Sequence, residues 1–580
     1  MKFGERIRRT LPDALAVLSY AVFAVVLFSH FWRDPQRRML ADNKQDQIFF
    51  EWVLTHAGQV VTRGDSPLFT TQLNAPLGVN LMANTSVIAL AIPLSPITLV
   101  FGAAVTFALI CTLALAGTAT AWYFVLSRDV VHSRGAAYLG ALFCGFAPAM
   151  ISQSTGHPNV AGQFVIPFVV RAVFRLPDRA AWLRRGLVLG ALVVVQCFLN
   201  EEVLFLTALT LFVFLLLYLP PPTYLEKVRA ALPALGIAAG LAVVVLAYPL
   251  WHQFTGPQSY RGLPDFVRGL SSDLASFKEL SRRSIFGNAA KIDQMGGPTE
   301  ENTFFGWGLL VLTFAAGVAL WRHRAARAVF ITAVLFGVLS LGSQIRFHGR
   351  VTDQVGPWRV LAGLPLFDSV VPTRLALVLT PLLGVLVAFV ADRFVARSAD
   401  AERPDLGVSG RVIWSLALVV ALFPLIPTPQ PAVARDPLPD FFISGQWRAH
   451  LPADATVVPV PGGWFEYLEA MEWSTAATLN FNIVGGYFLG PDINKVGTFG
   501  PVPPPTMQLL EQVSGTGEVP QVSAEQKAQA RADVSYWHAT TLVLSDYHGN
   551  GDQLRQTVDQ LFGPGQHVDD VWLWDVRSTT

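Results

Sequence analysis

The feature that most constrains this chain is a series of long apolar segments from which charged residues are excluded. A helix needs about 20 apolar residues to cross the roughly 30 Å hydrocarbon layer of a membrane. Of the 580 residues, 52% are apolar and only 14% are charged. We therefore predict an α-helical polytopic membrane protein with about eleven transmembrane helices. These spans lie near residues 12–32, 103–126, 135–152, 161–176, 187–201, 203–219, 231–250, 306–321, 328–344, 371–393 and 411–427.

The basic loops between the spans predict the orientation, because loops rich in Lys and Arg stay cytoplasmic. With eleven crossings, the N-terminus and the basic loops fall on one face: 128–134, 175–185, 227–229, 322–327 and 393–411. We expect a multi-pass plasma-membrane protein with a cytoplasmic N-terminus and an extracytoplasmic C-terminus. Residues 85–102 would add a crossing and reverse this pattern, and they contain Pro93 and Pro96. We interpret them as a re-entrant or interfacial element on the outer side.

The charge distribution divides the chain into two predicted domains. Residues 1–427 carry 35 Lys and Arg against 24 Asp and Glu, whereas residues 428–580 carry 7 against 17. The second region begins with a Pro-rich linker, 424–439, and continues as a small α/β domain with strands near 456–460, 540–544 and 568–576 and helices near 524–532 and 552–561. Pro459 makes the first of these strands a candidate edge strand. An acidic extracytoplasmic domain argues against nucleic acid as a partner.

Acidic residues lie at two places on the predicted outer boundary of the membrane. Residues 42–52 follow the first span and contain Asp42 and Asp46. A carboxylate held beside apolar residues there suits a general base, and a solvated loop is the alternative. Glu201 and Glu202 lie between two apolar segments, where ionisable residues usually line a cavity or a pathway. The alternative is that this pair marks a hairpin turn in water.

Two basic side chains lie on the same predicted face. His157, in the turn 154–159, could bind a phosphate or move a proton, although a single histidine in a turn is commonly a surface residue. Arg374 begins the tenth span, where a guanidinium can bind a lipid phosphate through two hydrogen bonds. Its alternative role is to reach from a helix end into the headgroup layer. The sequence has no Walker A, Gly-x-Ser-x-Gly, His-Glu-x-x-His or Rossmann glycine motif.

Four short motifs together resemble the GT-C superfamily of membrane glycosyltransferases, most nearly its actinobacterial members. They are the Asp-x-x-x-Asp-Gln-x-Phe-x-x-Trp loop at 42–52, the Gly-His-x-Asn turn at 156–159, the Glu201–Glu202 pair and the Pro-Thr-Arg sequence at 372–374. The resemblance covers most of residues 1–427. The loop departs from the commoner Asp-Glu and Glu-x-Asp forms of that superfamily, which leaves the choice between Asp46 and Asp42 open.

The resemblance implies an inverting hexosyl- or pentosyltransferase that uses a polyprenyl-phosphate-linked sugar donor and a glycan or lipid acceptor of the cell envelope. Asp46 or Asp42 would be the catalytic base. Arg374 and His157 would bind the leaving phosphate, and Glu201, Glu202 and Asn159 would complete the substrate site. Some relatives bind a divalent metal, which the carboxylates here permit but do not require.

Two other classes of protein remain as alternatives. A transporter or flippase for a lipid-linked sugar would use a similar phosphate site, but it should show repeated halves and charged residues deep within its spans. A non-catalytic envelope scaffold would not need Asp46 or Glu201. Membrane lipids are partners under every hypothesis.

Overall fold

The computed structural model describes residues 2–84, 87–395, 407–463 and 467–579. Residues 85–86 begin the predicted re-entrant element, residues 396–406 belong to the predicted basic loop 393–411, and both stretches lie outside the described residues. The helices of eight or more residues before residue 430 are α1 (Lys2–Leu27), α2 (Lys44–Arg63), α3 (Ala103–Val125), α4 (Arg134–Phe146), α5 (Ile166–Arg175), α6 (Trp182–Cys197), α7 (Glu201–Tyr218), α8 (Tyr224–Thr255), α9 (Gly306–Ala319), α10 (Arg324–Leu339), α11 (Leu379–Val390) and α12 (Gly407–Leu422).

Among the described residues, seven helical segments are long and apolar enough to cross a membrane. They are Thr10–Leu27, Ala103–Val130, Arg134–Gln153, Glu201–Tyr218, Pro221–Thr255, Pro372–Val395 and Val408–Leu425. Each predicted span overlaps a helix, but α5, α6, α9 and α10 are shorter than a full crossing. The prediction of a membrane protein is supported, and the count of eleven stays a prediction.

The chain forms two compact units. The first unit consists of Met1–Asn43, Ala108–Ala247 and Asp265–Val433. The second unit consists of Lys44–Phe107, Tyr248–Pro264 and Ala434–Thr580. The second unit therefore includes α2 and the predicted re-entrant element together with the C-terminal region.

Close helix packing forms the core of the first unit. A Cβ atom added to Gly140 of α4 would lie 2.5 Å from the carbonyl oxygen of Gly384 in α11. A Cβ atom on Gly384 would in turn collide with Sγ of Cys144. Small residues at such contacts let two backbones approach closely, which is the usual basis of helix association in a membrane.

The second unit contains a five-stranded sheet. Its strand order is Gln566–Val568, Val571–Asp575, Thr541–Ser545, Thr456–Pro459 and Asn482–Ile483. Helices α13 (Glu469–Ala476), α14 (Pro505–Thr516), α15 (Ala524–Tyr536) and α16 (Gly551–Phe562) belong to the same unit. Leu510, Val534 and Val558 from the last three of these helices share a buried core with Leu542 and Trp574 of the sheet. The strands and helices predicted for the C-terminal region are thus present at the expected places.

The expectation that Pro459 marks an edge strand is wrong. Strand Thr456–Pro459 pairs with Thr541–Ser545 on one side and with Asn482–Ile483 on the other, so it is internal. The second pairing involves only Thr456 and Val457. Pro459 ends the strand beyond that pairing, and its missing N–H therefore costs no hydrogen bond to Asn482–Ile483.

The part of the predicted re-entrant element that the structure describes is a broken helix. Two short helices, Ile88–Ala91 and Ser95–Phe101, flank Pro93. Proline lacks an N–H and fixes its own φ, which explains a break here. The placement of this element in the membrane stays a prediction.

Candidate functional site

Arg374 lies at the centre of a cluster of charges in the first unit. It belongs to the 3-10 helix Pro372–Val378 that leads into α11. Its Nη1 donates to Oε2 of Glu202 at 2.8 Å, and its Nε and Nη2 donate to Oε1 of Glu300 at 2.9 and 2.7 Å. The other oxygen of Glu202 accepts a hydrogen bond from the N–H of Val371 at 3.2 Å. Two carboxylates therefore surround one guanidinium, which leaves a net charge of −1.

The start of α7 positions Glu202. Asn200 caps this helix by accepting a hydrogen bond from the N–H of Val203 at 2.8 Å. Carboxylates in a first turn interact favourably with the helix dipole. Neighbouring residues on a helix point about 100° apart, and Glu201 accordingly faces Sγ of Cys197, 3.8 Å from its Oε1. The two adjacent glutamates therefore have different surroundings.

Amide side chains extend the cluster towards His157. Gln153 and Asn302 donate to Oε2 of Glu300 at 3.0 and 2.8 Å. Nδ1 of His157 lies 3.1 Å from Oε1 of Gln153. His157 is thereby linked to Glu300 through one amide. We call Gln153, Glu202, Glu300, Asn302 and Arg374 the Arg374 cluster.

Glu300 is the most deeply buried carboxylate of the Arg374 cluster, with 9% of its side chain exposed. Burial alone would raise the pKa of Glu300. Arg374 and His157, together with the hydrogen bonds from Arg374 and Asn302, nevertheless hold the pKa of Glu300 below its ordinary value. The Arg374 cluster thus keeps the Glu300 carboxylate ionised at neutral pH.

Asp42 is paired with Arg283 in the same unit. The neighbouring Arg282 is paired with Glu301, whose side chain is 1% exposed. Burial raises the pKa of Glu301, although its bonds to Ser281 and Arg282 oppose that effect. Glu301 directly follows Glu300, and Arg282 directly precedes Arg283. Residues 282–301 therefore supply partners both to Asp42 and to Arg374.

Asp46 belongs to the second unit, where it begins α2. The hydroxyl of Tyr487 donates to its Oδ1 at 2.8 Å. Further along α2, both oxygens of Glu51 accept from Nη2 of Arg435 at 2.8 Å. Nη1 of Arg435 also donates to Oε1 of Glu472 at 2.5 Å. Burial would lower the pKa of Arg435, but Glu51 and Glu472 raise it.

An apolar cavity of about 530 Å³ lies in the first unit. Its lining includes Val203, next to Glu202, and Leu377, three residues after Arg374. It extends along α7 as far as Tyr218, and Arg171 of α5 also lines it. Fifteen helical residues separate Val203 from Tyr218, which corresponds to about 22 Å at 1.5 Å per residue. The cavity is therefore long enough for an extended hydrocarbon chain.

Among the described residues, no group of three or more His, Cys, Asp or Glu side chains is arranged to hold a metal ion. The predicted substrate residue Asn159 is buried, and its Oδ1 has no hydrogen-bond partner among the residues that the structure describes.

Comparison with known families places this chain in one family. Residues 16–369, which are more than half of the chain, match the family described as domain of unknown function DUF6311. The chain belongs to the DUF6311 family. No curated protein matches its sequence.

Solved structures add a likeness in fold to this DUF6311 protein. Mycobacterial arabinofuranosyltransferase AftD matches with a TM-score of 0.53 and 13% identity, over 98% of this chain and 41% of the AftD chain. The DUF6311 chain thus spans less than half of AftD. The archaeal oligosaccharyltransferase AglB from Archaeoglobus fulgidus, in complex with an inhibitory peptide and a dolichol-phosphate, gives 0.48 and 11% identity over 93% of this chain and 70% of that chain. The AftD match shows a likeness in fold.

The sequence motifs thus divide into three groups in the structure. Glu202, Arg374 and His157 are brought together. Asp42 lies in the same unit, where it is paired with Arg283. Glu201 and Asn159 lie in the same unit with other surroundings. Asp46 lies in the second unit.

Sequence reasoning missed Glu300, which accepts two hydrogen bonds from Arg374 where Glu202 accepts one. A signal was present in the sequence, because residues 300–302 read Glu-Glu-Asn just before α9. They mirror residues 200–202, which read Asn-Glu-Glu at the start of α7.

Proposed function

We propose that this DUF6311 protein is an inverting glycosyltransferase. It transfers a hexose or pentose from a polyprenyl-phosphate carrier to a glycan or lipid acceptor on the extracytoplasmic face of the plasma membrane. The observation that carries the proposal is the fold shared with AftD, named an arabinofuranosyltransferase, over 98% of this chain. The Arg374 cluster and the Asp42 ion pair supply charged groups suited to such a reaction.

The proposed reaction is a direct displacement at the anomeric carbon. An aspartate takes the proton from the acceptor hydroxyl while the acceptor oxygen forms the new bond to that carbon. The bond from the carbon to the phosphate oxygen breaks, and the phosphate leaves with the electron pair. Attack opposite the leaving group inverts the configuration. We assign the base to Asp46 and keep Asp42 as the alternative.

The apolar cavity supports a polyprenyl donor. Its lining begins beside Glu202 and Arg374 and continues for about 22 Å along α7. That length exceeds half of the roughly 30 Å hydrocarbon layer, so a chain longer than one leaflet would fit. We propose that the polyprenyl tail lies in this cavity with its phosphate near Arg374.

The charges of the Arg374 cluster allow two roles of Arg374 to be distinguished: binding the donor phosphate, or holding the glutamates in place. Three of its five N–H groups already donate to Glu202 and Glu300, so two are left for a phosphate. If Arg374 binds the phosphate, Glu300→Gln should tighten donor binding because it removes a competing negative charge. If Arg374 only holds the glutamates in place, Glu300→Gln should weaken or leave unchanged the affinity for the donor. Donor affinity measured with Arg374→Ala and Glu300→Gln in parallel separates these roles.

The proposal is tested with purified protein in lipid nanodiscs and a panel of farnesyl-phosphate sugars that carry mannose, glucose or arabinofuranose. Sugar transfer and the configuration of the product are measured by mass spectrometry and NMR. Asp46→Asn should lower the rate by about 100-fold to 10,000-fold, the usual share of general acid-base catalysis, with little change in donor binding.

Asp42→Asn provides the comparison, and Asp552→Asn is the control, since the Asp552 side chain is 85% exposed on α16. A large loss in Asp42→Asn alone would move the base to Asp42. Movement of donor across the bilayer without transfer would instead identify a flippase. Full activity in both Asp46→Asn and Asp42→Asn would contradict the proposed mechanism.

A further inference from the structure

Asp46 receives a hydrogen bond from a tyrosine of the C-terminal region. The Tyr487 hydroxyl donates to Oδ1 of Asp46 over 2.8 Å, although the two residues are 441 positions apart in the sequence. Only 7% of Tyr487 is exposed. A buried phenol that donates to a carboxylate favours the ionised form and fixes the direction of its oxygens.

Aromatic packing holds the Tyr487 ring in place. Phe499 stacks on it with ring centroids 5.5 Å apart and an angle of 7° between the planes. Phe49 of α2 meets it edge-on at 6.2 Å and 85°. The backbone N–H of Tyr487 also points to Sδ of Met471 at 3.2 Å. These contacts restrict the ring on both sides, so its hydroxyl has little freedom to leave Asp46.

The turn before Tyr487 depends on two glycines. Gly485 and Gly486 have φ values of +78° and +126°, a region that side chains rarely adopt. A Cβ atom on Gly486 would also collide with the side chain of Leu73. The carbonyl of Gly485 accepts a hydrogen bond from the N–H of Asn74 at 2.9 Å. The turn is therefore fixed against residues 73–74, and it sets the position of Tyr487.

The same C-terminal region holds α2 at points beyond Asp46. Glu51 is paired with Arg435. Gln59 donates to the carbonyl oxygens of Thr478 and Leu479 at 2.8 and 3.1 Å. The helix that carries Asp46 is thus held both near its start and near its end by residues after 434.

We propose that Tyr487 is a positioning residue for Asp46, and that the C-terminal region contributes it to the transfer reaction. This inference rests on the proposed function, in which Asp46 takes the acceptor proton. The Tyr487 hydroxyl orients the Asp46 carboxylate and keeps it ionised before the acceptor arrives. Tyr487 itself takes no proton in the reaction and does not need to touch the substrate.

The test compares Tyr487→Phe with the wild type as full chains in nanodiscs, with the farnesyl-phosphate sugar that wild type uses. Loss of the hydrogen bond should move the acid limb of the kcat profile up by about one pH unit, because the carboxylate then protonates more readily. At the optimum pH, kcat should fall about 10-fold, less than for Asp46→Asn, whereas the KM for the donor should change little.

Tyr467→Phe is the matched control in the same unit, since its hydroxyl donates to Ser514 instead, at 3.1 Å. It should keep the wild-type profile. Neither substitution removes a member of the nearby ion pairs Lys44–Asp436 and Glu51–Arg435. If Tyr487→Phe does not yield folded protein, Phe499→Leu loosens the ring without removing the hydroxyl and should shift the acid limb in the same direction by less.

The outcomes separate this inference from the proposed function. A wild-type pH profile in Tyr487→Phe, together with an inactive Asp46→Asn, would overturn the role of Tyr487 and leave the transferase standing. A wild-type protein that transfers no sugar, or an Asp46→Asn variant with full activity, would overturn the assigned base and this inference with it.

Discussion

Glu472 should make the protein less stable as the pH rises from about 5 to 8. Burial raises the pKa of this carboxyl from its ordinary 4.5 to about 7, although Arg435 opposes the shift. Only 8% of its side chain is exposed, so water screens the effect little. Glu51 and Glu469 add to the raised pKa through like charge. Below pH 4.5 the Glu472 carboxyl is protonated in both the folded and the unfolded state, and above pH 7 it is ionised in both.

The folded state therefore loses stability relative to low pH as Glu472 ionises between these limits. The shift from 4.5 to about 7 corresponds to about 3 kcal/mol at 1.36 kcal/mol per pH unit. Glu472→Gln resembles the protonated form and should lack this pH dependence. Arg435 keeps Glu51 as its partner in that variant. The variant and the wild type should therefore unfold alike near pH 5 and diverge as the pH rises.

Thermal unfolding followed by tryptophan fluorescence from pH 5 to pH 8 measures the difference. About 3 kcal/mol corresponds to a gain in Tm of about 6–12 °C for Glu472→Gln at pH 8 in a unit of 150–250 residues. Glu525→Gln, on an exposed face of α15, is the control and should run parallel to the wild type. Parallel curves for Glu472→Gln and wild type, or a wild type that gains stability with pH, would refute the reasoning.

Three further predictions concern the topology, the Arg374 cluster and the helix core. A cysteine at Ser578 should react with an impermeant maleimide in intact cells, and protection until lysis would contradict an extracytoplasmic C-terminus. Arg374→Ala should destabilise the protein by about 3–5 kcal/mol at pH 7, because two carboxylates lose their shared partner. In thermal unfolding this loss should shrink at pH 5 and when Glu300→Gln is added. Gly140→Leu should lower the yield of monodisperse protein in size-exclusion chromatography, because its side chain would collide with Gly384, whereas Gly363→Ala meets open space and should have little effect.

The sequence predicts the helices and the C-terminal elements well, because apolar periodicity and turn residues are local signals. It does not predict the internal position of the strand that ends at Pro459, since that depends on which strands pair. It names Glu201, Glu202 and Arg374 as candidate site residues, but it does not distinguish Glu202 from Glu201 as the partner of Arg374, and it misses Glu300. The ionic partners of a guanidinium depend on the path of a long loop, and no local pattern specifies that path.

The residues that Asp42 and Asp46 contact could not be predicted for the same reason. Four positions separate these aspartates, yet one is paired with Arg283 in the first unit and the other is bonded to Tyr487 in the second. The spacing alone suggests that either could serve one site. Their partners lie more than 200 positions away, beyond the reach of periodicity.

The pairing of Glu51 with Arg435 limits where the polypeptide can be truncated or exchanged with that of a relative. A polypeptide cut after residue 433 would retain Glu51, with 6% of its side chain exposed, and lose both Arg435 and Tyr487. The cut would also remove the carbonyl groups of Thr478 and Leu479 that hold Gln59 near the end of α2. We therefore expect that an exchange between relatives has to transfer α2 together with everything after residue 434.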